Sequence, residues 1–134
     1  MPLKDRITIN ESAIREQLSQ DARIESAYLL GSAARGTMRS DSDVDIAILP
    51  RAGIRIGDLS RLSLAADLSF ASGLDIDIGI LSAANLVYAR EAILTGRRIF
   101  SRNGASADAA VATLLSMYAS FNEERREVLD AYRA

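Results

Sequence analysis

The stretch Ile24-Glu25-Ser26-Ala27-Tyr28-Leu29-Leu30-Gly31-Ser32-Ala33-Ala34-Arg35-Gly36, followed by Ser42-Asp43-Val44-Asp45-Ile46-Ala47-Ile48-Leu49, decides the fold. Ile24 to Leu30 is a short, mostly apolar run that ends at a glycine, the pattern of a buried strand. Val44 to Leu49 is a second such run, stopped by Pro50. Residues 31–42 between them are small, polar and glycine-containing, which predicts a loop with one helical turn. Upstream, Thr8-Ile9-Asn10-Glu11 fits a capping box, and Ala13, Ile14, Gln17 and Leu18 recur at helical spacing, so a helix is expected over 9–21. Downstream, Leu59, Leu62, Leu64, Ala65, Leu68 and Ala71 predict a helix over 57–72, closed by Gly73. Leu74 to Leu81 alternates as a third strand, residues 83–95 form a helix ended by Gly96, and Arg97 to Phe100 is a short edge strand.

Beyond a turn signal at Asn103-Gly104, a single apolar stripe runs from Ala107 to Tyr132 through Val111, Leu114, Leu115, Tyr118, Phe121, Val128 and Leu129. The run Glu123-Glu124-Arg125-Arg126-Glu127 interrupts it and is expected to be solvated. The order of elements gives an α/β or α+β sheet covered by helices. At 134 residues the chain is expected to be one domain, with a core over 1–102 and a helical tail over 103–134.

Composition excludes much chemistry. The chain has no cysteine and no histidine, so disulfides, thiolate catalysis, Ser-His-Asp triads and His- or Cys-ligated zinc are impossible within it. Only Lys4 among 16 basic residues is a lysine, and no Walker-type loop is present. A formal charge of -2 gives no strongly basic surface, so nucleic acid is not an expected direct partner. No signal peptide or membrane-spanning run is visible, and the expected location is the cytoplasm. Catalysis must run on carboxylates, hydroxyls, arginines, backbone amides and a hard metal ion.

Asp43 and Asp45 stand two apart at the start of a strand, so both carboxylates point to one face. Like charges so placed repel, and a divalent cation such as Mg²⁺ or Mn²⁺ is the natural counter-charge. Asp75 and Asp77 repeat the pattern in the third strand, and either would stand beside the first pair if the strands are neighbours. Three carboxylates around metal ions suit in-line attack on a nucleotide phosphate, with one of them as general base. Gly31 lets the backbone approach a phosphate closely, and Ser32 offers a hydroxyl and an amide to phosphate oxygens. Arg35 and Arg39 lie in the same loop, where they suit a triphosphate. Taken singly, each feature also reads as a turn, a helix cap, a solvated strand start or a surface arginine; the joint pattern is far more specific.

Gly31-Ser32-Ala33-Ala34-Arg35-Gly36 followed by Ser42-Asp43-Val44-Asp45-Ile46 resembles the minimal nucleotidyltransferase signature of the polymerase-β-like superfamily. Residues 74–100 are less specifically similar to the family's later strand, helix and strand. Length and helical tail resemble the antitoxin branch of HEPN/MNT toxin–antitoxin modules. The resemblance implies a small mixed sheet flanked by helices with a C-terminal helix. It implies bound Mg²⁺, two ions in number, and ATP as substrate, with AMP transferred and pyrophosphate released. By position Asp43 and Asp45 match its metal-binding pair, Gly31 and Ser32 its phosphate-binding pair, with Arg35 beside them. Asp77 fits the third carboxylate better than Asp75. In the antitoxin branch the acceptor is a tyrosine hydroxyl on the HEPN toxin, which would make such a protein the partner. Two other functions are open: neutralisation of the toxin by contact alone, and nucleotidyl transfer to a small molecule such as an aminoglycoside. Whether the C-terminal stripe serves the core, a homodimer or the toxin is also open.

Overall fold

The computed structural model describes residues 9–35 and 43–133, without the side chains of Ser32 and Arg35. The elements are α1 (Glu11–Ser19), β1 (Ile24–Leu29), α2 (Gly31–Arg35), β2 (Val44–Pro50), α3 (Asp58–Ser72), β3 (Ile76–Ile80), α4 (Leu86–Thr95), β4 (Arg97–Ser101) and α5 (Gly104–Arg133). A single 3₁₀ turn over Ala83–Asn85 leads into α4. The strands form one mixed sheet in the order β3-β2-β1-β4. β1 runs antiparallel to both β2 and β4, while β2 and β3 are parallel. The parallel pair needs a crossover, which α3 supplies.

Each face of the sheet has its own cover. Val44, Ile46, Ile48, Ile76 and Ile78 point to the side where α1 brings Ile14 and Leu18 and α3 brings Leu64 and Leu68. Ala47 and Leu49 point to the other side, against Ala89 and Ala92 of α4 and Ala107 and Leu114 of α5. Small side chains on that second face let the helices approach the sheet closely. All six β1 residues are buried, as expected of an inner strand covered on both faces. Among the described residues no helix is long and apolar enough to cross a membrane.

Several boundaries differ from the sequence reading, each for a local reason. The cap of α1 is Asn10, whose Oδ1 accepts from the Ala13 N–H at 3.2 Å. Glu11 does not turn back to close a capping box; its carboxylate pairs with Arg15 and with Arg97 of β4. Thr8, the expected cap, lies outside the described residues. The helix stops at Ser19, where Arg102 donates to the carbonyls of Ser19 and Asp21 and gathers the orphaned end of α1. Pro50 is the last residue of β2 rather than its stop, since a strand's final residue can lack a donor. β3 is shorter than the alternation from Leu74 suggested. Helix α4 starts at Leu86 because Asn85 accepts from the Tyr88 N–H and caps it. Asn103 likewise caps α5 through the Ser106 N–H at 3.2 Å, so the helix begins at Gly104, one turn before the apolar stripe does.

The stripe on α5 divides. Ala107 and Leu114 are buried, whereas Phe121, Val128, Leu129 and Tyr132 are exposed along with Glu123 to Glu127. Only the first half of α5 serves the core of this chain. Arg98 fixes that half, donating to the Tyr28 hydroxyl at 2.8 and 3.0 Å and to Asp108 at 2.8 Å.

Leu68 is fully buried between α3 and the sheet. Leu68→Ala is expected to destabilise the fold by about 2–5 kcal/mol, through lost burial and the cavity left behind. Urea unfolding of the variant beside the wild type measures this as a shift in midpoint at unchanged slope.

Candidate active site

Register brings the sequence-selected carboxylates together. β2 and β3 pair in parallel with Asp45 directly opposite Asp77. Adjacent strands lie about 4.8 Å apart, so the two carboxylates leave the same face side by side. Asp43 stands two residues before Asp45 on that face. Asp75 stands one step before β3, where its carbonyl accepts from the Val44 N–H at 2.9 Å. Asp77 is therefore the direct neighbour of Asp45, and Asp75 stands nearer the level of Asp43. Asp43, Asp75 and Asp77 together border a small cavity of about 230 Å³ with Ser69.

Gly31 stands on the opposite flank of Asp45. The Leu30 N–H donates to the Asp45 carbonyl at 3.0 Å, so β1 hands the chain to α2 directly beside the acidic strand. Gly31 turns that corner with φ +59, a left-handed conformation costly for any residue with a Cβ. Gly31, the first residue of α2 just past β1, thus forms a row with Asp45 of β2 and Asp77 of β3. Ser32 and Arg35 belong to α2, immediately after Gly31, but their side chains lie outside the described residues, as do all of Arg39 and Ser42.

The site is electrostatically loaded. Partial burial, then the charges of Asp77 and Asp43, push the Asp45 carboxyl above the usual carboxylate range. Among the described residues no ion pair relieves Asp43, Asp45 or Asp77. Their hard oxygen donors suit Mg²⁺ by type, although among the described residues no group of three or more acidic side chains is placed to hold one ion. That arrangement suits an ion held by one or two carboxylates and completed by water and substrate phosphate oxygens.

One member of the site escaped the sequence reading. Tyr88 of α4 lies over Gly79, and a Cβ at Gly79 would run into its hydroxyl and ring. Gly79 is two residues beyond Asp77 on the same face, so the phenol borders the carboxylate pair. Burial, with a smaller contribution from the Asp45 charge, raises the Tyr88 pKa and keeps the phenol a hydrogen-bond donor at neutral pH. The available signal was the lone glycine inside an apolar strand, which marks a close approach by another group.

The fold is that of a nucleotidyltransferase. The family model for polymerase beta nucleotidyltransferases matches residues 12–105, and the chain belongs to that family. The chain is 30% identical over 123 residues to the protein adenylyltransferase MntA of Shewanella oneidensis, covering 91% of this chain and 86% of that protein. It superposes with a TM-score of 0.77 and 27% identity on a chain from the crystal structure of a toxin–antitoxin with AMP-PNP, covering 93% of this chain and 99% of the other. A further match, at TM-score 0.70 and 25% identity, is to a tri-AMPylated Shewanella oneidensis HEPN toxin in complex with MNT antitoxin, covering 93% and 97%.

Removing one charge from the acidic row should relieve repulsion. Asp45→Asn is expected to raise Tm at neutral pH relative to the wild type. The sign follows from the raised pKa: the folded state disfavours the ionised carboxylate, so the strain exists only where Asp45 is charged. The difference should shrink as acid protonates Asp45, which thermal scans between neutral and acidic pH will show. Gly79→Ala is expected to destabilise the wild type but much less a Tyr88→Ala background. A double-mutant cycle should give a coupling of about 0.5–3 kcal/mol, as for residues in contact.

Proposed function

We propose that the chain is the antitoxin of a HEPN/MNT-type module and that it moves AMP from ATP onto a tyrosine hydroxyl of its HEPN toxin. The observation that carries this reading is the alignment of Gly31, at the start of α2, with Asp45 and Asp77 of the paired strands β2 and β3. Similarity over nearly the whole chain to a protein adenylyltransferase, and to chains from toxin–antitoxin complexes, supports the choice of acceptor. Residues 1–102 would carry the chemistry and 103–134 the helical tail, in a protein working in the cytoplasm.

Asp43, Asp45 and Asp77 are the groups that would hold Mg²⁺. When bound, the metal supplies charge neutralisation for the triphosphate and polarises the α-phosphate. Gly31 and Ser32 cradle phosphate oxygens through close backbone approach, with Arg35 beside them. The acceptor oxygen forms a bond to the α-phosphorus, the bond to the β-phosphate oxygen breaks, and pyrophosphate leaves. The hydroxyl proton passes to the Asp77 carboxylate, acting as general base. Asp43 and Asp45 would act on the nucleotide only through the cation they hold, and α2 would place the leaving group away from the acceptor.

The test is transfer of label from [α-³²P]ATP with Mg²⁺ into the protein encoded beside this chain. Label on that partner is expected, with loss of at least about a hundredfold in an Asp43→Asn/Asp45→Asn variant, the scale for removing charged groups that act in the transition state. A partner that is bound and inhibited but never labelled would mean that contact alone neutralises it. Label on an aminoglycoside and none on the partner would identify a small-molecule acceptor.

A further inference from the structure

β3 is an edge of the sheet, and that edge is too nearly satisfied to take another strand. Backbone groups of its odd residues face β2: the Asp75 carbonyl accepts from Val44, and the Leu81 N–H donates to Ile48. The even residues turn their N–H and C=O groups outward. Of these, the Ile76 N–H donates to Ser69 Oγ at 3.0 Å, and the Ile78 carbonyl accepts from Arg61 at 3.1 Å. Among the described residues the Ile78 N–H and the main-chain groups of Ile80 are left without a partner. Strand addition draws its affinity from a run of main-chain bonds, and no such run is free here.

The edge offers a cavity instead. It measures about 670 Å³ and lies between the start of α3 and the 3₁₀ turn that leads into α4. Small-molecule sites usually measure roughly 300–1,000 Å³. Its charged lining is mostly cationic. Arg61 is half-buried and held by its bond to the Ile78 carbonyl, and its other guanidinium N–H groups have no partner among the described residues. Arg55 adds a second guanidinium, against the single carboxylate of Asp58. Apolar surface comes from Ile54, Ile80 and the ring of Tyr88. Two guanidinium groups with donors to spare fit an anion, and the apolar wall with its aromatic ring fits a flat ring.

Asp43, Asp45 and Asp77 are not among the described residues that line this cavity. Tyr88 is the partition: one side of it lines the cavity, and its hydroxyl stands over Gly79, two residues beyond Asp77.

We infer that this edge cavity is an effector site, separate from the transfer site, for a small molecule that joins a flat apolar ring to an anionic group. The anion sits on Arg55 and Arg61, and the ring lies against Ile54, Ile80 and Tyr88. An occupant holds Tyr88 against Gly79 and so fixes one border of the acidic row. Occupancy and nucleotide affinity are thereby coupled, each changing the other by the same factor. The inference rests on the nucleotide half of the proposed reaction and is independent of the acceptor.

The test uses phenyl phosphate, a ring carrying one anionic group, with benzoate and uncharged phenol in parallel. Each is titrated into the ¹⁵N-labelled chain and followed by amide NMR shifts. Saturable shifts are expected at Ile80, Ala84 and Tyr88, with at least one anion binding about tenfold or more tightly than phenol, the scale of one hydrogen bond to a charged group. The order of phenyl phosphate and benzoate tells which anion the site prefers. Arg55→Glu reverses the charge of an exposed side chain outside the core and should weaken phenyl phosphate by a similar factor. Saturating phenyl phosphate should change the affinity for ATP with Mg²⁺ by about fivefold or more, the lower end of usual coupling between sites. Phenol binding as tightly as both anions overturns the ligand class, and unchanged affinity in Arg55→Glu overturns the placement of the anion. Shifts confined to the neighbourhood of Gly31, with strict competition by ATP, mean that phenyl phosphate occupies the nucleotide site, and overturn the separate cavity. An unchanged ATP affinity overturns the effector role. Failure of the wild type to bind ATP would defeat the nucleotide reading, which the phenyl phosphate titration, run without ATP, does not share.

Discussion

The hydrogen-bond register between β2 and its two neighbours is the constraint on which everything else depends. One side of β2 is tied to the end of β1 through Leu30 and Asp45, and the other to β3 through Val44 and Asp75. Side chains alternate between faces, so slipping either pairing by one residue would exchange every inward and outward position. In the observed register Val44, Ile46 and Ile48 enter the core while Asp43 and Asp45 stand free of it. The same register that fills the core aligns Gly31, Asp45 and Asp77. Core packing and site assembly are consequences of one set of backbone bonds.

The two faces of the sheet divide the work. Branched aliphatic side chains under α1 and α3 supply most of the buried apolar area, the main favourable term in folding. The opposite face is thinner, with alanines where α4 and α5 cross it. That cover ends before the start of β2, which leaves the acidic residues at its beginning open to solvent and to ligand. Arg98 and Arg102 pin the last strand to α5 and to the end of α1. These contacts hold the layers around the site without reaching into it.

The acidic row stores an electrostatic cost that the core has to cover. Asp45 sits among carboxylates under partial burial, and its raised pKa records that strain. A divalent cation held there would offset this charge, so its binding would relieve the repulsion. The phenol of Tyr88, packed where Gly79 has no side chain, closes one border of the row.

The sequence by itself determined the identity and order of nearly all elements, because hydrophobic period and glycine or proline punctuation are local. It also determined the chemistry available: the absence of histidine and cysteine, the Asp43/Asp45 pair on one face, and the glycine that opens α2 are all visible in the chain. Helix starts were less legible, since Asn10, Asn85 and Asn103 compete with nearby residues for the cap and only the final backbone geometry chooses. The neighbour of Asp45 had to wait for the tertiary structure, because strand pairing joins residues far apart in sequence. The structure put Asp77 there, and spacing alone had left Asp75 in contention. It alone placed Tyr88 over Gly79, and it alone split the α5 stripe into a packed half and an exposed half. A periodic pattern shows that a face is apolar; what meets that face is decided by the rest of the fold.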